Sequence, residues 1–232
     1  MLNKLIDISP SSKGNKFRAK RVQLLLDMIA RIVAKNGTCS VLDVGGTYTF
    51  WTTWGQGLDW AKVKVDCINL DVNHALEGKD NSSIQMMQGD ACDLNTIANQ
   101  SYDLVFSNSV IEHVGLWRRQ MAMANEVRRV GKSYFVQTPY FWFPVEPHLR
   151  TLFIHWLPQS IAYRMMLRKK RGFWKKSDTV SEATLAVQSA IILDIRQMRE
   201  LFPDAHLQNE KFMGWTKSLI AIKDHISITG TH

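Results

Sequence analysis

The stretch Thr38-Cys39-Ser40-Val41-Leu42-Asp43-Val44-Gly45-Gly46 decides the fold. Residues 38–44 form a short apolar, β-branched run, the pattern of a strand buried in a parallel sheet. Just before it, Asn36-Gly37 is a helix stop. It closes a segment, 16–35, in which Val22, Leu25, Leu26, Ile29, Ile32 and Val33 recur at helical spacing. Just after it, two glycines let a ligand approach the backbone where no Cβ stands in the way.

Further strand patterns follow at KVDCINLDV (64–72), SIQMMQGDA (83–91), SYDLVFSNS (101–109) and SYFVQTP (133–139). Helices fill the gaps, most clearly over 116–130. Strands alternating with helices predict an α/β protein with a doubly wound, mostly parallel sheet. The end of the chain breaks the alternation. A helix over 193–202 is closed by Pro203, and strand patterns at 205–213 and 217–224 are joined by Gly214-Trp215-Thr216. So short a link permits only an antiparallel hairpin. The expectation is one domain over 1–232, with an N-terminal helix at 16–35. Residues 140–180 fit no alternation and read as an insertion.

Composition narrows the class. The chain has 232 residues, 45% hydrophobic and 22% charged, which excludes disordered and low-complexity proteins. Cys39, Cys67 and Cys92 are an odd number without a CxxC pair, which argues against a disulfide framework and for a reducing, cytoplasmic setting. The N-terminus lacks the apolar core of a secretory signal, and no apolar run is long enough to span a bilayer. The net charge is +8 and is uneven. Residues 1–35 carry a net +6 and residues 164–176 (RMMLRKKRGFWKK) a net +7, so the remainder is acidic. Such basic segments suit phosphate, nucleic acid or anionic lipid.

Ligands of open α/β sheets bind beyond the carboxyl ends of the strands. On that rim stand Asp43 with Gly45-Gly46, Asp71, Gly89-Asp90-Ala91, and Ser107-Asn108-Ser109 followed by Val110-Ile111-Glu112-His113. Neither GxGxxG nor GxxxxGK[ST] is present, so a pyrophosphate cradle is not supported.

The ordered set VLDVGG, INLD, QGDA and YDLVFSNSVIEHV resembles the class I S-adenosylmethionine-dependent methyltransferases, whose seven-stranded, Rossmann-like sheet also ends in an antiparallel pair. The resemblance implies S-adenosylmethionine as cofactor. It puts Asp43, Gly45 and Gly46 on the methionine side, Asp71 on the ribose hydroxyls, Asp90 and Ala91 at the adenine, and Ser107 near the cofactor's amino acid end. The family's usual third glycine is missing, and Tyr48 or Thr49 stands in its place. A non-catalytic binding module is therefore an alternative reading.

Methyl transfer is an in-line displacement in which the protein mainly supplies position. A base is required only for an acceptor with a tightly held proton. The candidates are His113, His148, His155 and Glu146, with His113 and His148 first. No His/Cys/Asp group has metal-ligand spacing along the chain, so no metal is expected. The aromatic run Pro139–Pro144, with Phe153-Ile154-His155-Trp156, suits a substrate pocket or lid. The expected acceptor is a small molecule, a sugar or a lipid-linked intermediate. Residues 164–176, with Met165, Met166, Leu167, Phe173 and Trp174, suggest attachment to an anionic membrane surface. Nucleic acid is the weaker reading, since no Pro-Pro-Tyr-type base-binding motif follows the fourth strand.

Overall fold

The computed structural model describes residues 13–71 and 81–226, with side chains from Arg18 onward. The first twelve residues of the basic N-terminal segment, and Val72 at the end of the second strand pattern, lie outside them.

Strand β1 (Cys39–Val44) is buried along nearly its whole length. Its period of two sends side chains to both faces of the sheet. Cys39 and Val41 join one core cluster; Leu42 and Val44 join the other. β1 pairs in parallel with β2 (Val63–Asn69) on one side and β4 (Tyr102–Asn108) on the other. β2 pairs with β3 (Ile84–Gln88), and β4 with β5 (Gly131–Pro139), again in parallel. β8 (His206–Phe212) and β9 (Trp215–Lys223) form the expected hairpin, with β9 antiparallel to both β5 and β8. The order β3-β2-β1-β4-β5-β9-β8 therefore has one reversed strand, β9. This is the Rossmann-like methyltransferase fold.

Helix α1 (Lys13–Asn36) covers one face with Leu25, Met28, Ile29 and Ile32, joined by Tyr48 and Trp51 of the short helix α2 (Tyr48–Trp54). The other face is covered by α3 (Trp117–Val130), through Met123, Ala124 and Val127, and by α6 (Ile195–Leu201). Asp194 caps α6 by accepting from the Arg196 and Gln197 amides. Both faces are apolar because both are roofed, as a parallel sheet requires.

Between β5 and α6 the chain leaves the sheet. It forms a two-strand ladder, β6 (Val145–Glu146) with β7 (Thr151–Leu152), a 3₁₀ turn, α4 (Gln159–Arg168) and α5 (Val180–Gln188). This segment has a small core of its own: Leu149, Ile154, Ala162, Met166, Ala183 and Ala186. That core runs past residue 180 into α5.

Leu25 is fully buried beneath the sheet, whereas Gln23 is exposed and its side chain donates to Asp27. Leu25→Ala should cost about 2–5 kcal/mol in urea unfolding. Gln23→Ala should stay within about 0.5 kcal/mol. Equal costs would mean that α1 is not part of the cooperative core.

Candidate functional site

The turn after β1 is built around a buried carboxylate. Period two puts Asp43 on the same face as Cys39 and Val41, under α2. There the Trp51 indole N–H donates to its Oδ2 at 2.7 Å. Asp43 is 2% exposed. Burial pushes its carboxyl up to about 7, and the Trp51 hydrogen bond opposes part of that shift. Asp43 thus lies beneath the turn, bracing it.

The two glycines are required by neighbouring chain. Gly45 has φ +78°, and a Cβ there would stand 2.4 Å from Val110 Cγ2; a Cβ on Gly46 would stand 2.0 Å from Asp43 Oδ2. The Gly45 amide donates to the Ile68 carbonyl, and the Asn69 side chain donates to the Gly46 carbonyl, which locks the turn to β2. Tyr48 and Thr49, which stand where a third glycine is usual, open α2: Thr47 caps it by accepting from the Phe50 amide, and Tyr48 is buried as the helix begins. The helix starts at once, so no looser loop is needed.

Asp71 lies two residues beyond β2 and is exposed. Asp90 follows β3. Its carboxylate receives the Arg119 guanidinium at 2.9 Å on each oxygen and the Cys92 amide on Oδ1. These bonds hold its pKa below the usual carboxylate value, the Cys92 amide foremost. Ala91 is half-buried beside it. Ser107, level with Val44 on the neighbouring strand, is fully buried, and its hydroxyl has no hydrogen-bond partner among the described residues.

Beyond β4 the chain turns tightly, with the His113 amide donating to the Val110 carbonyl. Val110 packs on Gly45, so this turn carries Glu112 and His113 to the glycine end of the rim. Glu112 is fully buried, and Thr138 donates to its Oε2 at 3.0 Å. Its Oε1 has no hydrogen-bond partner among the described residues. His113 and His148 meet at 3.0 Å through their Nε2 atoms. His148 Nδ1 is 2.7 Å from Glu146 Oε1. The expected pair His113 and His148 is thus brought together, with Glu146 behind it. His155 goes elsewhere: its Nε2 meets the Phe141 carbonyl at 2.8 Å, within the aromatic cluster.

Three participants carried no signal along the chain, and the grouping of a fourth, Glu112, was not visible there. Trp51 holds Asp43, and Arg119 holds Asp90. Arg21 of α1 reaches Asn108 (2.5 Å), Gln137 (2.8 Å) and Glu210 (2.8 Å). Glu112 joins His113 and His148, their ligand atoms all within 4.8 Å of one another. No spacing rule finds that trio, because His148 comes from the insertion, 35 residues away.

The fold is that of the Rossmann-like methyltransferases. Residues 42–134 match a family described as a methyltransferase domain. Solved structures agree in fold. The magnesium protoporphyrin IX methyltransferase from Synechocystis PCC 6803, with bound SAH, superposes at a TM-score of 0.51 and 13% identity, over 95% of this chain and 92% of that one. A SAM-dependent methyltransferase from Aquifex aeolicus gives 0.51 and 13%, over 95% of each chain. The chain spans less of two longer neighbours, 62% and 57% of their lengths. No curated protein matches the sequence. The matched segment is a methyltransferase domain, and together with the fold it supports an enzyme whose cofactor is S-adenosylmethionine. The rim fits that cofactor: the partnerless, buried Ser107 hydroxyl and the exposed Asp71 carboxylate both stand at carboxyl ends of strands.

The raised pKa of Asp43 has a sign. The native state holds this proton more tightly than the unfolded chain, where an aspartate titrates near ~3.9. Its contribution is therefore full below about pH 4, falls as pH rises to about 7, and is flat above. Asp43→Asn keeps an acceptor for Trp51 and removes the proton. Urea unfolding of the cofactor-free protein from pH 5 to 8 should show the mutant lacking up to ~1.4 kcal/mol per pH unit of downward slope. Parallel profiles would mean that Asp43 titrates normally.

Proposed function

We propose that the enzyme methylates an amphipathic small molecule, sugar or lipid-linked acceptor that enters between the carboxyl end of β5 and the insertion. An aromatic wall carries this reading. Starting two residues past β5, Phe141, Trp142, Phe153, His155 and Trp156 touch ring to ring at centroid separations of 4.9 to 5.8 Å. Trp142 and Phe153 are exposed. Apolar walls with a few polar groups at one end suit such a ligand. The Synechocystis neighbour is named for a small-molecule acceptor, and the wall of this chain suits one also.

The cofactor, when bound, would supply an electrophilic methyl group, transferred in line to an acceptor lone pair as the carbon–sulfur bond breaks and the thioether SAH leaves. The chain's own residues hold and orient. Asp71 accepts the ribose hydroxyls. Asp90, steadied by Arg119, and Ala91 lie on the adenine side. The Gly45-Gly46 turn, braced by Asp43, and the Ser107 hydroxyl take the amino acid end. His113 and His148 handle the acceptor's proton. Orientation of this kind contributes about 7–11 kcal/mol to rate.

Asp71→Ala should weaken SAH binding by calorimetry roughly 10- to 150-fold, the effect of losing a charged acceptor worth about 1.5–3 kcal/mol. Unchanged affinity would remove Asp71 from the ribose site and, with it, the proposed orientation of the cofactor.

A second feature favours a membrane-borne acceptor. Arg168, Lys169, Lys170, Lys175 and Lys176 are exposed around exposed Phe173 and Trp174. On α4, Ile161, Arg164 and Arg168 share the outward face. Met166 does not take part: it is fully buried in the insertion core, with Met165 and Leu167 packed against that core. Arg171 is also committed, donating to the Met165 carbonyl and to Thr151. No helix of the described residues is long and apolar enough to cross a membrane. Each engaged basic residue near an anionic leaflet contributes about 1 kcal/mol. Sedimentation should show binding to vesicles containing anionic lipid, little to neutral ones, and loss on replacing Arg168, Lys169 and Lys170 by serine. Equal binding to both vesicles, or no loss in the variant, would eliminate the membrane role.

A further inference from the structure

The protons on the histidine pair decide what the pair can do. His113 Nδ1 is 2.6 Å from the Ser189 carbonyl oxygen. A carbonyl only accepts, so this nitrogen carries the ring proton. His148 Nδ1 faces Glu146 Oε1, and the other Glu146 oxygen accepts the Leu149 amide. An ionised carboxylate accepting on both oxygens puts the proton on His148 Nδ1 too. A ring with that proton and no other turns an Nε2 lone pair toward its neighbour, at 3.0 Å. Two lone pairs that close repel unless a cation lies between them. Glu112 offers a carboxylate oxygen for one: its buried Oε1, without a hydrogen-bond partner among the described residues, is 4.0 Å from His113 Nε2.

We propose that Glu112, His113 and His148 bind a divalent first-row transition metal ion, zinc above all. Two imidazole nitrogens about 2.1 Å from a tetrahedral ion stand about 3.4 Å from each other, so the pair needs to part by only about 0.4 Å to hold one. Metal-bound histidines characteristically donate their other N–H to a carboxylate or a backbone carbonyl. Here Glu146 serves His148 in that way and Ser189 serves His113. Two histidines and one carboxylate leave further coordination positions open. The half-exposed His113 side leaves a path for entry, its side chain being 36% exposed.

The role of the ion rests on the acceptor reading above; its binding does not. Val110 against Gly45 sets this turn at the cofactor end of the rim. An acceptor hydroxyl oxygen on the ion would become more acidic and release its proton to water, its lone pair then attacking the methyl carbon as the carbon–sulfur bond breaks, the electron pair staying on the sulfur. The pair would handle the acceptor's proton through the ion rather than by receiving it.

The test uses the full chain stripped with chelator and dialysed against zinc chloride, without SAH or acceptor. The expected result is one zinc per chain at this site, and a visible ligand-field band when cobalt(II) replaces zinc. Glu112→Gln and His148→Ala should each lose this uptake or weaken it at least tenfold, and Glu146→Gln should weaken it roughly 10- to 100-fold. Circular dichroism confirms folding; if His148→Ala is unfolded, the two glutamine variants decide. No uptake by the wild type, or uptake equal in wild type and both glutamine variants, overturns the site and leaves a proton shared between the two rings. SAH calorimetry on the same samples separates the readings. Zinc uptake without SAH affinity would fail the cofactor assignment alone.

Discussion

The buried carboxylate of Asp43 under α2 constrains everything built on the rim. β1 lies inside the sheet with both faces roofed, so its last inward side chain on the α1 face has no water to turn to. A carboxylate there is tolerable only with a donor or a proton. Trp51 supplies the donor, and the upward-shifted pKa supplies the other route. With the carboxylate in place, Gly46 has no room for a side chain. With Val110 packed on the turn, neither has Gly45. The glycines so often read as making space for a ligand make space here for their own chain.

Parity along the strands sorts the rim into two functions. Leu104, Phe106 and Asn108 alternate toward α1, as do Phe135 and Gln137 of β5. There Asn108 and Gln137 meet Arg21, which is also paired with Glu210. Val105 and Ser107, with Val136 and Thr138, alternate to the other face. That face receives Thr138 against the buried Glu112. A one-residue slip in either strand would exchange these sets, which is why the pairing of β4 with β5 matters as much as the residues themselves.

The insertion is tied to the rim by few but specific contacts. The Ile191 amide donates to the Glu112 carbonyl at 2.7 Å, and His113 and His148 meet across the gap. Gly172, at φ +52°, lies so close to the His148 backbone that a Cβ would stand 2.2 Å from the His148 carbonyl oxygen. The basic turn around Phe173 and Trp174 therefore rests on the same residue that completes the polar cluster. Surface charge and site chemistry are mechanically adjacent.

The sheet was legible in the sequence because both determinants are local. Strand period, helix period and glycine stops act within a few residues, and a link as short as that between β8 and β9, Met213-Gly214 in the structure, admits one topology. Asp43, Asp71, Asp90 and Ser107 were legible as rim residues for the same reason: each stands at, or two residues past, the carboxyl end of a strand. What occupies them was not. Arg119 on Asp90, Trp51 on Asp43, and Arg21 across Asn108, Gln137 and Glu210 join residues that only folding makes neighbours. The insertion shows the limit most clearly. Its composition marked it as apolar and basic, but packing against α5 decided that Met166 would be buried and Phe173 exposed. The meeting of Glu112, His113 and His148 likewise belongs to tertiary structure alone, because ligand geometry is a matter of distance in space and the sequence records only distance along the chain.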